Sequence, residues 1–390
     1  MKCRSCGSGK LTEILDLGEQ RVSDFREDDS LTNKYPLVAV ICEACMLVQL
    51  KGTTPSQEMY HENYGFKSGI SNSIKADLRD VVLHAQSFYG SPKSWLDIAS
   101  NDGTLLSFVP TYTRRVGVDP IGFLCKEAEQ HADLIVNDFF NGLDEQFDII
   151  TSISCFYDMD NPNKFVADVK ASMHDKSIWV IQQNYLLPTM ELNAVDNFCH
   201  EHLEYYTLLS LESLLDRHGL EVIDVSTSMV NGGSIRTVVA HKGAYPVKDN
   251  VERQRTIELD AKLHILEPYL EFGEKCLGNI ELLKKAIEPF ETVYILAAST
   301  RGATIWQAAG FTPERIKYAV ERNPKKVGKY FSALGIPIIS EEEARKNKPD
   351  AMIIGPWFFS EEIIEREQEY LNNGGKLITP LPEVKIYGNN

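Results

Sequence analysis

The chain has 390 residues, enough for two or three domains. Its 43% hydrophobic and 25% charged residues match a folded globular protein, and no run of about 18 or more apolar residues suggests a membrane span. A net charge of −16 argues against non-specific nucleic-acid binding, while a few local Arg and Lys side chains could still hold an anionic small substrate.

The N-terminus, MKCRSCGSGK, has no apolar stretch of the signal-peptide kind, so the expected location is cytoplasmic, where structural disulfides are rare. Cys3-Arg4-Ser5-Cys6 and Cys42-Glu43-Ala44-Cys45 are two C-x-x-C pairs. Four thiolates complete a tetrahedral zinc shell, and with every position filled by protein the ion is structural. Short strands at Leu37 to Ile41 and Met46 to Leu50 are expected beside them. The segment Tyr60 to Gly69, containing Tyr64 and Lys67, reads either as a surface linker or as a lid over a ligand. Ser73 to Tyr89 has the spacing of an amphipathic helix.

Lys93 to Leu106, KSWLDIASNDGTLL, then runs from a short apolar strand through a polar turn into a helix. Such a turn sets free backbone N–H groups at the mouth of a sheet. It lacks the three glycines of a dinucleotide site and instead carries Asp97 and Asp102 around Gly103. Carboxylates repel a pyrophosphate but suit the amino group of a sulfonium amino acid. A second strand, Arg115 to Val118, ends in Asp119, placed to take both ribose hydroxyls of an adenosine. Together these features predict an S-adenosylmethionine (SAM) site; the plain alternative is an ordinary βα turn.

Helix and strand continue to alternate: a helix from Ile121 to His131, then strands at Leu134 to Val136, Phe147 to Ile153 and Ile178 to Gln183, with a helix from Asn163 to Met173. This predicts a doubly wound parallel sheet with its ligand at the carboxyl ends of the strands. Asp97, Ala99, Asn101, Asp102, Gly103, Asp119, Asp138, Phe139 and Ser154 are the expected cofactor-binding set. Asp138 and Phe139 would meet the adenine, although simple core packing explains one of the two phenylalanines at 139 and 140 as well.

In Asn197 to Tyr206, NFCHEHLEYY, His200 and His202 stand two apart, unlike the i, i+4 pair of a zinc protease. The competing reading is an acid–base cluster with His202 as proton acceptor, Glu201 orienting it or fixing substrate, and Tyr205 or Tyr206 donating to a carbonyl oxygen. A solvated loop is the third possibility. Val230 to Arg236 reads as a hairpin turn in which Asn231 could also touch ligand. Val251 to Ile287 is charged and helical. A second, smaller α/β unit follows, with strands at Val293 to Leu296, Ile316 to Val320, Ala351 to Trp357 and Lys376 to Thr379. Its first turn, Ala298-Ser299-Thr300-Arg301-Gly302, suits a phosphate at a helix N-terminus; the alternative is a unit that only packs.

These pieces, in this order, resemble the sugar C-methyltransferases that act on nucleotide-linked keto-deoxysugars. The resemblance rests on CRSC with CEAC, YGFKSG, LDIASNDGTLL, FCHEHLEYY, NGGSIR, ILAASTRGAT, IPIISEEEA, GPWFF and GGKLITPLPE, and so spans the chain. It implies an α/β fold of three domains: a zinc-binding domain (1–70), a SAM-binding Rossmann-like methyltransferase domain (71–245) and a smaller Rossmann-like C-terminal domain (246–390) entered through a helical connector. It implies SAM and structural zinc, a dTDP- or GDP-linked sugar as partner, and methyl transfer to C3 of a 4-keto sugar. It makes His202 the base, with Glu201 beside it. Where family members may carry a tyrosine before that pair, this chain has Cys199, so Tyr205 or Tyr64 would have to substitute. A histidine some members carry after the fourth strand is replaced by Phe156-Tyr157-Asp158. Tyr64, Lys67, Asn231, Ser299, Arg301 and Arg322 are the expected substrate contacts. A sugar O- or N-methyltransferase, and a zinc-ribbon interaction protein with an inactive core, are the competing functions. A monomer is expected, with neither nucleic acid nor membrane as partner.

Overall fold

The computed structural model describes residues 1–60 and 67–388; Tyr64 and the side chain of Asn231 lie outside the described residues. Three sheets follow one another along the chain.

The first is antiparallel, in the spatial order Leu11–Arg21, Lys34–Cys42, Val48–Leu50, Glu204–Tyr205. The strands expected at 37–41 and 46–50 are there, the former longer and the latter shorter than the sequence suggests. Leu11–Arg21 escaped the sequence pattern. Register shifts after Glu13 and after Asp16 break its two-residue alternation, so Ile14, Leu15 and Leu17 all turn inward. The fourth strand comes from the middle of the chain, some way beyond any local signal.

The middle sheet has seven strands, numbered here β1 (Ser94–Ile98), β2 (Arg114–Val118), β3 (Leu134–Val136), β4 (Phe147–Ile153), β5 (Met173–Asn184), β6 (Leu220–Ser228) and β7 (Ser234–His241). Their spatial order is β6-β7-β5-β4-β1-β2-β3, and only β7 runs against the rest. Because helices cover both faces, the strands are apolar on both sides. Leu96, Val116, Ile150 and Trp179 face one core; Trp95, Ile149, Ile178 and Val180 face the other, under the helix Asn72–Tyr89. The helix expected at 163–173 spans Pro162–Ala171, and β5 starts earlier than its apolar run suggests. The strand order reverses between the parallel neighbours β1 and β4, which opens a crevice at their carboxyl ends.

The stretch 251–287 forms two helices, Asp249–Asp260 and Glu267–Ile287. The third sheet runs Lys385–Tyr387, Lys376–Thr379, Ala351–Ile354, Val293–Leu296, Ile316–Glu321, Ile336–Ser340, Tyr330–Phe331, Phe25–Arg26. Its five central strands are parallel. Its last strand is lent by the N-terminal region, as Glu204–Tyr205 is lent in the other direction. Among the described residues no helix is long and apolar enough to cross a membrane.

Candidate active site

The two C-x-x-C turns close on each other. Cys3 Sγ lies 3.6 Å from Cys45 Sγ, and Cys6 Sγ 3.5 Å from Cys42 Sγ. All four sulfurs fall within 4.8 Å of one another. Zinc–sulfur bonds of about 2.3 Å in a tetrahedron put sulfurs about 3.8 Å apart, so the donor set fits zinc with little adjustment. Backbone bonds from Met46 N to Cys42 O (2.8 Å) and from Gly7 N to Cys3 O (2.9 Å) shape the two turns.

A cavity of about 580 Å³ opens at the carboxyl ends of β1, β2 and β4. Ala99, Asn101, Asp119, Asp138, Phe139 and Ser154 line it, six of the nine cofactor residues expected from sequence. Ala99 and Asn101 have left-handed backbones, φ 59° and 52°, at the places where a dinucleotide turn would use glycine. Asp119 accepts Asn101 N through Oδ2 and Ile121 N through Oδ1, both at 2.9 Å, which fixes the turn against the end of β2.

Asp97, Asp102 and Gly103 sit behind this lining. Asp97 points into the core face, accepts Thr151 Oγ1–H at 2.7 Å, and burial pushes its carboxyl up to about 7. Asp102 starts the helix Thr104–Phe108 by accepting Thr104 N and Oγ1, and takes Gly69 N at 2.9 Å. Gly103, at φ 75°, packs so closely that a Cβ there would lie 2.8 Å from Ala128 Cα. Of the two acids that suggested a ligand charge from sequence, Asp97 is tied to the neighbouring strand and Asp102 builds the turn.

The opposite wall comes from Thr53 to Tyr60, of which only Tyr60 belongs to the segment read from sequence as a linker or a lid. Tyr60 meets Phe139 edge-on at 6.4 Å and donates to Asp158 Oδ2 at 3.3 Å. Asp158 also lines the cavity; burial first, then the charge of Glu201, raises its carboxyl well above the usual range. Lys67 pairs with Glu127.

Asp158 and Leu203 of this lining adjoin the Cys199–His202 turn: Asp158 feels the charge of Glu201, and Leu203, next after His202, bonds Tyr157 O through its N at 2.9 Å. His202 is half-buried with Tyr157 edge-on at 4.5 Å. Its Nδ1 lies 2.9 Å from Asn197 O. A carbonyl only accepts, so in the neutral ring Nδ1 carries the hydrogen and Nε2 keeps the lone pair. Burial, and then Arg301, lower the ring to about 4, while burial raises Glu201 to about 7. Cys199 Sγ, a Glu201 carboxylate oxygen and a His202 ring nitrogen lie within 4.8 Å of one another. His200 turns away, with Nε2 3.2 Å from Tyr35 O. Tyr205 stacks on Phe198 at 4.1 Å with its hydroxyl beside the Cys199 backbone, and Tyr206 stacks on Phe156 at 5.2 Å.

Arg301 reaches the same place from the third sheet. It pairs with buried Asp196 at 2.8 Å, lies 5.5 Å above the Phe358 ring, and has Nη2 3.6 Å from where a Cβ on Gly232 would stand. Ser299 accepts Gly302 N at 3.1 Å and caps the helix Thr300–Ala308. Arg322 is apart from these, exposed on a second cleft of about 270 Å³ with Glu321 and Arg366 at the strand ends of the third sheet.

Three family models match in sequence. "Putative zinc binding domain" matches residues 3–60, "Methyltransferase domain" matches 73–225, and "C-methyltransferase C-terminal domain" matches 229–382. The C-methyltransferase NovU of Streptomyces niveus is 27% identical, over 99% of this chain and 96% of its own length. Among solved structures, a SAM-dependent methyltransferase from Clostridium acetobutylicum ATCC 824 is 14% identical over 45% of this chain and 94% of its own, with a TM-score of 0.38. The plantazolicin methyltransferase BpumL, in complex with a desmethyl substrate analogue and SAH, is 15% identical over 45% of this chain and 87% of its own, with a TM-score of 0.36. Three consecutive domain matches and an end-to-end C-methyltransferase relative, set beside the thiol cluster and the crevice, make this chain a SAM-dependent C-methyltransferase with a zinc-binding N-terminal domain.

Proposed function

We propose that the chain methylates the carbon next to the ketone, C3, of a nucleotide-linked 4-keto-deoxysugar, with His202 as the base. The observation that carries this reading is the Asn197 carbonyl on Nδ1, which leaves the Nε2 lone pair free on a turn whose next residue, Leu203, lines the cofactor crevice. The choice of a nucleotide sugar rests on the motif resemblance along the chain; C-methylation is supported by the relative that aligns over its whole length. The working division is 1–70 for zinc, 71–245 for SAM and 246–390 for the nucleotide side.

Bound SAM supplies an electrophilic methyl group on a sulfonium sulfur. Asp119 would accept the ribose hydroxyls, Asp138 and Phe139 would meet the adenine, and the Thr53–Tyr60 wall would exclude water from the far side. His202 Nε2 takes the proton from C3, whose acidity comes from the neighbouring ketone. Charge then gathers on the ketone oxygen. Arg301, near enough to His202 to oppose its protonation, offers the compensating positive charge. Glu201 steadies the turn that carries the base. Ser299 and Arg322 remain candidates for the nucleotide phosphates, and Lys67 for the entrance.

The test is incubation with SAM and a panel of nucleotide 4-keto sugars, read by mass spectrometry and by NMR of the new methyl. A methyl on oxygen or nitrogen would refute carbon as the acceptor. With SAM omitted, solvent deuterium should enter C3, and His202→Gln should abolish both this exchange and methyl transfer. A His202→Gln enzyme that exchanges normally overturns the assignment of the base.

A further inference from the structure

The Cys199–His202 turn holds more than an acid–base pair. Thiol, carboxylate and imidazole converge there, their ligand atoms within 4.8 Å of one another. Ligands on one zinc ion lie about 3.3–3.8 Å apart, given bonds of about 2.0–2.3 Å, so side-chain shifts of about 1 Å complete the set. We propose that Cys199, Glu201 and His202 form a second zinc site, separate from the Cys3–Cys6–Cys42–Cys45 cluster, whose occupancy blocks the base.

Three further observations support it. The Asn197 carbonyl on Nδ1 leaves Nε2 as the ring nitrogen able to bind a metal, and a carbonyl on the remote ring N–H is the usual partner of a metal-bound imidazole. A cavity of about 20 Å³ touches Cys199 and Glu201 but not His202, with Gln20, Arg21, His200 and Thr304 also in its lining. That is room for about one water, the fourth ligand that a three-residue zinc site leaves open. Of the charges nearby, Arg301 opposes a cation but is offset by Asp196 at 2.8 Å, while Asp158 and Glu201 are close enough to feel each other's negative charge, which a cation would relieve. His200 takes no part, being turned to Tyr35 O. The donor mixture favours zinc over magnesium or calcium, which seek oxygen alone.

Binding follows from these contacts. Cys199 releases its thiol proton to solvent, and the thiolate, Glu201 and His202 Nε2 each give one lone pair to the ion. Nε2 has a single lone pair, so it serves either zinc or the substrate proton. This second half of the proposal rests on His202 being the base; the site itself does not.

The experiment titrates the full-length protein with zinc and counts metal per chain after removing free ion. The wild type should hold two ions at saturation, and Cys199→Ser or Cys199→Ala one. The second ion should leave to a weak chelator while the first stays, with an affinity lowered about tenfold or more in the variants. Retention of one zinc with an unchanged melting temperature shows that a variant has folded. In the wild type, deuterium entry at substrate C3 should fall in step with filling of the second site. One zinc in the wild type, or two in both variants, overturns the site. Two in the wild type and one in the variants, with exchange undiminished, overturns the block. If no sugar in the panel reacts, the metal count still decides the site, which separates its failure from that of the proposed reaction.

Discussion

Asp97 shows what a single residue contributes and conceals. From sequence its carboxylate at the end of a strand read as a ligand group; in the fold it points away from the crevice and bonds Thr151. Strand alternation put it there, because Leu96 and Ile98 on either side face the other core. Which face of a strand looks at the ligand depends on helices packed later, so a motif alone could not tell. Asp119, Asn101 and the four zinc cysteines were legible, since strand ends and C-x-x-C spacing fix position directly. Burial gives Asp97 a measurable signature. Its folded-state value of about 7 stands above the unfolded value of about 3.9. A raised carboxyl binds its proton more tightly when folded, so stability falls as pH rises from the unfolded value toward about 7 and then levels off. The cost at alkaline pH is on the order of 4 kcal/mol. Asp97→Asn keeps an acceptor for Thr151 and removes the charge. Its melting temperature should exceed that of the wild type at about pH 8, with the gap closing at about pH 5. Equal gaps at both would show that Asp97 does not titrate in the folded chain.

Among the elements, the two-residue strand Glu204–Tyr205 ties zinc to chemistry. It pairs with Val48–Leu50, immediately after the second cysteine pair, and Leu50 N bonds Leu203 O at 2.9 Å. Arg4, between the first two cysteines, donates to Gln49 Oε1 from its backbone and lies 3.7 Å from buried Glu204. Holding four thiolates together therefore holds the strand that follows His202. Nothing local in the sequence marks a strand of two residues; it exists because its partner is presented from about 150 residues upstream. The same cysteine turn leads into Thr53–Tyr60, the wall of the cofactor cavity. Stripping the structural zinc with a strong chelator should abolish methyl transfer and weaken SAH binding about tenfold or more, with a lower melting temperature. Circular dichroism should still report the helices of the middle and third sheets. Full activity in a chain shown by mass spectrometry to hold no zinc would disprove this linkage.

At the scale of the molecule, the three sheets are not beads on a string. The first sheet takes an edge strand from the middle of the chain and the third takes one from the N-terminal region, and one contiguous core runs from Leu15 through Trp179 to Ile295. The helix Glu267–Ile287 locks the first sheet to the rest, and it does so by close backbone approach. A Cβ on Gly273 would fall 1.7 Å from Ile14 O, whereas one on Gly278, in the same helix, would meet nothing within 4 Å. The alternation of strand and helix that predicted two α/β units says nothing of this clasp, since a glycine inside a helix reads only as a weak helix former. The pair makes an internal control. Gly278→Ala should gain about 0.5–1 kcal/mol from helix propensity alone. Gly273→Ala gains the same term but forces helix and strand apart, and should lose about 1–3 kcal/mol net. If the clasp couples the sheets, calorimetry should show one transition in the wild type and two in Gly273→Ala, the earlier one accompanied by zinc release. A Gly273→Ala chain that melts later than the wild type in one transition would mean that the first sheet is held by the shared strands Glu204–Tyr205 and Phe25–Arg26, and that the helix merely lies against it.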